Sequence, residues 1–338
     1  MSKQSGATKF KKARPRLFIF FIALIAIFVS ASTQTGAIEP EEVLKPAIFR
    51  KKHAHHALHY PNIPFRTLGG KQFWGDVYIY AGWRIQRNIF TGHHRLLDDS
   101  DIRRAWGDYA HCRNMFNRYK KETDIQPLSR HLVLIIPGIL RSKDMLAKME
   151  NRLQKEGFEA RAINYPSSRG SLADHTRQLK LLISRLEDID RLSFVTHSMG
   201  GIIVRKILEK NNIKNLPSLN RLVMIAPPNQ GSTVAKKLGW LFPYKLITGQ
   251  SGQQLKPDKI KQLPVPELEF GIIAGHTDGG FNFRFLLPEK NDGTVTVSST
   301  RLRGARDFIL LEGSHNSLPR QDNVIEKTIN FLKSGSFN

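Results

Sequence analysis

The chain has 338 residues, 40% of them hydrophobic and 24% charged, which suits one catalytic-sized domain with an appended segment and excludes bulk disorder or many membrane spans. A formal charge of +23 implies a polyanionic neighbour: nucleic acid, an anionic membrane or a cell-envelope polymer. No zinc-finger spacing, glycine-rich RNA-binding signature or aromatic-interleaved basic helix accompanies it, so no nucleic acid is expected.

The amino terminus carries Lys3, Lys9, Lys11, Lys12, Arg14 and Arg16 without an intervening acid, directly before the apolar stretch Leu17 to Val29. That is the grammar of an export signal, and the run is shorter than the roughly 20 residues that span a bilayer comfortably. Residues 1–31 therefore read as a signal peptide cut after Ala31, following the small residues of Val29-Ser30-Ala31, or as an uncleaved anchor. Either outcome exports the remainder, to the periplasm or medium, with residues 17–31 as an inner-membrane anchor in the second case. Residues 32–64, with Pro40, Pro46, Pro61 and Pro64, read as a linker. His53, His55, His56 and His59 lie there without an adjacent carboxylate or cysteine, so they read as a solvated basic tract and neither metal nor cofactor is expected.

Residues 65–125 form an aromatic, basic accessory segment. Val77 to Tyr80 predicts a strand and Leu96 to Lys120 a broken helix. No chemical motif lies there, and the segment is expected to pack against one side of the catalytic domain or supply a substrate wall. Its Cys112 is the one cysteine of the chain, so packing and not an internal disulfide must hold the fold.

From residue 126 to 338 strands alternate with amphipathic helices, the pattern of a parallel sheet covered on both faces. Continuously apolar runs predict buried strands over Leu132–Ile136, Ala160–Tyr165, Leu192–Thr196, Leu222–Ala226, Phe270–Ala274 and Phe308–Leu311. Between them, Leu146, Met149 and Leu153 mark a helix ending at Gly157; Leu172, Leu179, Leu182, Ile183 and Leu186 mark another; a third starts at Met199. A terminal helix carries Val324, Ile325, Ile329 and Leu332.

The third of these strands runs into Thr196-His197-Ser198-Met199-Gly200-Gly201 and then a helix. A serine on so sharp a strand-to-helix turn needs small neighbours, a demand that Gly200 meets and Thr196 meets in part. The stretch resembles the nucleophile elbow G-x-S-x-G of α/β-hydrolases, with Thr196 for the first glycine. Asn291-Asp292-Gly293-Thr294-Val295 resembles the acid-bearing loop of bacterial lipases, and Gly313-Ser314-His315 follows the last strand, where that family keeps its histidine.

The resemblance covers about residues 130–335 and implies an α/β-hydrolase fold, a mostly parallel sheet of about six core strands with helices on both faces, plus the N-terminal extension. It implies Ser198 as nucleophile, His315 as base and Asp292 as the acid that orients it. Asp278 is an alternative acid, close behind the strand ending at Ala274, and His276 a weaker rival base. The oxyanion donors would be the N–H of Met199 and of Ile139, the latter in Pro137-Gly138-Ile139 after the first core strand. Pro227-Pro228-Asn229-Gln230-Gly231-Ser232 also resembles lipases and esterases, with a structural role expected. Trp240, Leu241, Phe242, Tyr244, Leu246 and Ile247 make an apolar cluster, either a lid or acyl-pocket wall or ordinary core.

The activity implied is that of a serine hydrolase cleaving carboxylic esters, lipid or other acyl esters, through an acyl-enzyme. An anionic membrane surface is a second partner consistent with the charge. Acyl transfer to an alcohol would use the same residues, and a non-catalytic envelope- or lipid-binding protein on a hydrolase scaffold is the reading from another class. Nothing in the sequence fixes the oligomeric state.

Overall fold

A computed structural model describes residues 62–209, 216–277, 287 and 289–338; the leader, most of the linker with its histidine cluster, and Asp278 lie outside them. The described residues form two sheets. Strands β1 (Trp74–Tyr80), β2 (Trp83–Asn88), β3 (His94–Leu97) and β4 (Arg103–Gly107) form an antiparallel meander, followed by helix α1 (Tyr109–Glu122). Strands β5 (His131–Ile136), β6 (Glu159–Ala162), β7 (Arg191–His197), β8 (Ser218–Ile225), β9 (Glu269–His276) and β10 (Asp307–Glu312) form the second sheet, in the order β10-β9-β8-β7-β5-β6. Every pair in this sheet is parallel.

The apolar strands make this sheet because both of its faces are covered. Leu132, Leu134, Ile136, Phe194, Leu222, Met224 and Ile272 point to one side, where they pack with Leu179 and Leu182 of α3 (Leu172–Ile183) and Ile203 and Ile207 of α4 (Met199–Leu208). Val133, Ile135, Val195, Val223, Ile225 and Ile273 point to the other, against Met149 and Leu153 of α2 (Ala147–Lys155) and Val324 and Ile325 of α9 (Asp322–Ser334). Alternation along a strand thus feeds two cores at once, and a strand that must be apolar at every position loses the polar half of its pattern. Each fully buried side chain of this kind contributes about 1.5–3 kcal/mol. Between α4 and α9 lie the short helices α5 (Thr233–Leu238), α6 (Phe242–Gln254), α7 (Pro257–Ile260) and α8 (Val297–Thr300).

Two expectations are corrected. Leu96 to Lys120 is not one broken helix: it holds β3, β4 and, only from Tyr109, α1. The Asp98 carboxylate accepts the N–H groups of Ser100 and Ile102 at 3.0 and 2.8 Å, and Asp101 sits at φ 60°, so the local side-chain bonds favour a hairpin turn over a helix. The helix then starts where Asp108 caps His111 N–H at 2.7 Å. The second strand of the parallel sheet stops at Ala162 and not at Tyr165. Beyond it the Asn164 backbone bonds to Asp76 of the meander twice: its N–H donates to the side-chain Oδ2 at 2.7 Å and its carbonyl accepts from Asp76 N–H at 2.9 Å.

That pair of bonds ties the accessory segment to the parallel sheet. Asp76 is buried, and its carboxylate also accepts from Arg84 at 3.0 Å and Gln86 at 2.7 Å. On the other face of the meander α1 packs Phe116 beneath Tyr78, Tyr80 and Trp83, with ring centroids 5.4, 5.6 and 5.9 Å away. Buried Cys112 lies in the same core.

Candidate active site

The strand order reverses between β5 and β7, since β6 lies on one side of β5 and β7 to β10 on the other. At such a switch point the loops after the two neighbouring strands diverge and leave a crevice at the carboxyl edge of the sheet. The loop after β5 is residues 137–142, and the turn after β7 is Ser198.

Ser198 sits at φ 53°, ψ −124°, a conformation L-residues rarely adopt. It is held there by its own N–H donating to Ile225 O at 2.9 Å and by its carbonyl accepting from Gly201 N–H at 3.1 Å. The turn is so tight that a Cβ at Gly200 would lie 2.5 Å from Ile136 O. Thr196 is tolerated two residues before the serine because its Oγ1 donates to Val223 O at 3.3 Å, and Gly201, whose added Cβ would lie 3.2 Å from Thr196 Oγ1, leaves that hydroxyl room.

The structure brings the serine, histidine and acid together. His315 Nε2 lies 2.9 Å from Ser198 Oγ, and His315 Nδ1 lies 2.7 Å from Asp292 Oδ2. The acid is supplied by a loop built for it: Asp292 Oδ1 accepts Thr294 N–H at 2.9 Å and Val295 N–H at 2.7 Å, while Gly293 takes φ 93° to close the turn. The Asp292 carbonyl accepts His315 N–H at 2.8 Å, which fixes the histidine backbone to the acid loop. Asp292 is completely buried, and Ser198 and His315 are 6% and 8% exposed, so these hydrogen bonds lie where water screens them little. A carboxylate only accepts, so His315 Nδ1 carries the proton and Nε2 is left as the acceptor for the serine hydroxyl. Of the alternatives, Asp278 lies outside the described residues. His276 ends β9, with its carbonyl accepting Gly313 N–H at 2.7 Å and its buried Nδ1 without a partner among the described residues.

Met199 is the first residue of α4, so its N–H has no intrahelical acceptor and stands beside the serine at the positive end of the helix. Ile139 follows Gly138, where an added Cβ would lie 2.9 Å from Ser198 Cβ. Both predicted oxyanion donors thus lie in segments that border Ser198. The lipase-like loop after β8 is structural: Asn229 Nδ2 donates to Thr300 O at 2.9 Å, and its carbonyl accepts from buried Arg205 at 3.1 Å. Trp240, Leu246 and Ile247 of the apolar cluster are exposed, at 73%, 45% and 44%, which removes the core reading for these three; the side chains of Phe242 and Tyr244 lie outside the described ones.

His197 carries a role that sequence reasoning left unassigned. It is fully buried, its ring centroid lies 4.7 Å from that of His315, and its Nε2 is 2.9 Å from the His315 carbonyl oxygen. The carbonyl can only accept, so Nε2 is the donor and Nδ1 the bare nitrogen. Burial, and then the neighbouring His315, hold its pKa well below the ordinary histidine value. His197 is therefore a neutral brace under the His315 backbone, and adds no positive charge beside the His315 ring. Its place inside the elbow was the available signal, but a residue next to a nucleophile carries no mark of which backbone it will brace.

Residues 127–248 match a protein-family model described as "Putative serine esterase (DUF676)". That span takes in the loop after β5 and Ser198 and ends before Asp292 and His315. Among solved structures, the chain is similar to the mature lipase BlEst2 of Bacillus licheniformis, at 17% identity and a TM-score of 0.50, covering 61% of this chain and 92% of that one. It is also similar to the phospholipase PlaB of Legionella pneumophila, at 18% identity and a TM-score of 0.44, covering 55% of this chain and 53% of that one. No curated protein matches.

Proposed function

We propose that this chain, which has the α/β-hydrolase fold and matches a serine-esterase family model over residues 127–248, is a hydrolase of the lipase and esterase type that cleaves carboxylic esters through an acyl-enzyme on Ser198. The observation that carries this reading is the continuous relay from Ser198 Oγ through His315 to Asp292, at 2.9 and 2.7 Å. Ser198 Oγ attacks the ester carbonyl carbon as His315 Nε2 takes its proton, and the carbonyl oxygen becomes an oxyanion facing the N–H groups of Met199 and Ile139. The imidazolium, stabilised by Asp292, returns the proton to the departing alkoxide, which leaves as an alcohol. Water then repeats the sequence on the acyl-serine, releasing the carboxylic acid and the free enzyme.

An acyl ester with an apolar chain is the substrate class favoured by the exposed Trp240, Leu246 and Ile247 and by the chain's charge of +23, which would draw it to anionic headgroups. Export belongs to the same proposal, on the support of the basic and then apolar stretch from Lys3 to Val29. Purified protein lacking residues 1–31 should hydrolyse chromogenic acyl esters of graded chain length, and Ser198→Ala should abolish turnover at every length while keeping the wild-type melting curve. A Ser198→Ala protein that still turned over these esters would remove the proposal.

A further inference from the structure

Resting on the ester-hydrolase reading, we propose that Gln72 of the accessory segment is a positioning residue that sets the oxyanion loop from outside the hydrolase sheet. The loop, residues 137–141, lies against Ser198 through Gly138 and carries Leu140 at φ 60°. A leucine in the left-handed region costs on the order of 1–3 kcal/mol, so the loop keeps this shape only if its surroundings impose it.

At one end Tyr165 Oη donates to Pro137 O at 2.6 Å. At the other the constraint comes from the meander's own approach segment. Gln72 Nε2 donates to Arg141 O at 3.2 Å, while Gln72 Oε1 accepts from Ser167 Oγ at 3.1 Å and from Ser168 N–H and Oγ at 3.0 and 2.9 Å. A primary amide suits this position, because it donates at one atom and accepts at the other, joining the carbonyl of Arg141 to the turn after β6. The bond reaches both halves of the site. Arg141 N–H donates back to Gly138 O at 3.2 Å, and the Arg141 guanidinium donates to Asn316 Oδ1 at 2.6 Å, one residue beyond His315. The loop's exit is held from both sides: Lys143 Nζ pairs with Asp101 of the accessory segment at 2.7 Å, and Lys143 N–H donates to Asn164 Oδ1, after β6, at 2.9 Å. Residues 65–125 thereby acquire a catalytic consequence, since an N–H displaced by a fraction of an ångström no longer meets the oxyanion.

Two variants of the chain lacking residues 1–31 separate the ends of the amide: Gln72→Ala removes both, and Gln72→Glu keeps the acceptor but presents a carboxylate oxygen to Arg141 O. In both, kcat for a short chromogenic ester should fall about tenfold with KM within about twofold, as expected when an oxyanion donor is displaced but not deleted. Amide hydrogen exchange should rise in the peptide covering residues 137–143, with melting temperature nearly unchanged. Wild-type kcat in Gln72→Glu, or a loss carried wholly by KM, would overturn the proposal, the latter by making Gln72 part of a substrate wall. Exchange is read without any substrate. If the wild-type protein hydrolyses no ester, the functional reading fails alone, and unaltered exchange in both variants would separately overturn the clamp.

Discussion

Asp292 presents its two oxygens to different partners, Oδ1 to Thr294 and Val295 N–H and Oδ2 to His315. That division predicts what Asp292→Asn will do. The asparagine carbonyl would keep the two backbone donors, leaving its NH₂ facing His315 Nδ1; the imidazole must then carry its proton on Nε2 and can no longer accept from Ser198. We expect kcat to fall on the order of 10,000-fold, the loss the general triad shows for this exchange, with stability within about 1 kcal/mol. Steady-state kinetics and urea unfolding of the variant measure both, and a kcat within tenfold of wild type would contradict the assigned geometry. The identities of Ser198, Asp292 and His315 were legible because each stands in a short motif whose residues are neighbours in sequence. The amide of Gln72 and the ring of His197 were not, because what they do depends on a backbone about 70 and 118 residues away.

At the scale of elements, the site exists because two loops diverge at the β5/β7 switch point and one of them must pass within van der Waals reach of the other. Gly138 is the contact, and its replacement by alanine would bring a Cβ to 2.9 Å from Ser198 Cβ and 3.3 Å from His197 O. These neighbours are backbone or short side chain, so the loop must yield. Gly138→Ala is expected to lower kcat by about 10- to 100-fold through the displaced Ile139 N–H, and wild-type kcat in this variant would show that the loop contributes no donor. The parallel strands were legible from their apolar runs, since burial on both faces leaves a signal that survives in a single sequence. The accessory meander was half missed for the converse reason. Its short strands carry Arg84, Gln86 and Arg95 on a face buried against polar partners, so no apolar alternation announces them, and the Leu96 to Lys120 stretch reads as helix until the Asp98 turn is seen.

For the whole molecule, acid is the condition that should expose its weakest balance. Burial lowers the pKa of His94, His131 and His175 to about 4, and holds that of His197 well below its usual value. In the unfolded chain these rings titrate near 6.5, so between about pH 6.5 and 4 the unfolded state binds protons that the folded state refuses. Stability is therefore full above about pH 6.5 and falls on acidification as the unfolded chain takes up these protons. Urea midpoints at pH 7.5, 6 and 5 should decline steadily, whereas a flat profile would mean that these rings are protonated in place. Asp76, Gln72 and Asp101 of the accessory segment each bond to the half that carries the parallel sheet, so the segment is part of one frame with it.

The most direct test of the central claim is intact-mass and peptide mass spectrometry after reaction with a fluorophosphonate, which traps an activated serine by phosphonylating it. One adduct per molecule, located on Ser198 and lost in His315→Ala, is the predicted result. A protein left unmodified, or labelled at a different serine with Ser198 untouched, would contradict the account.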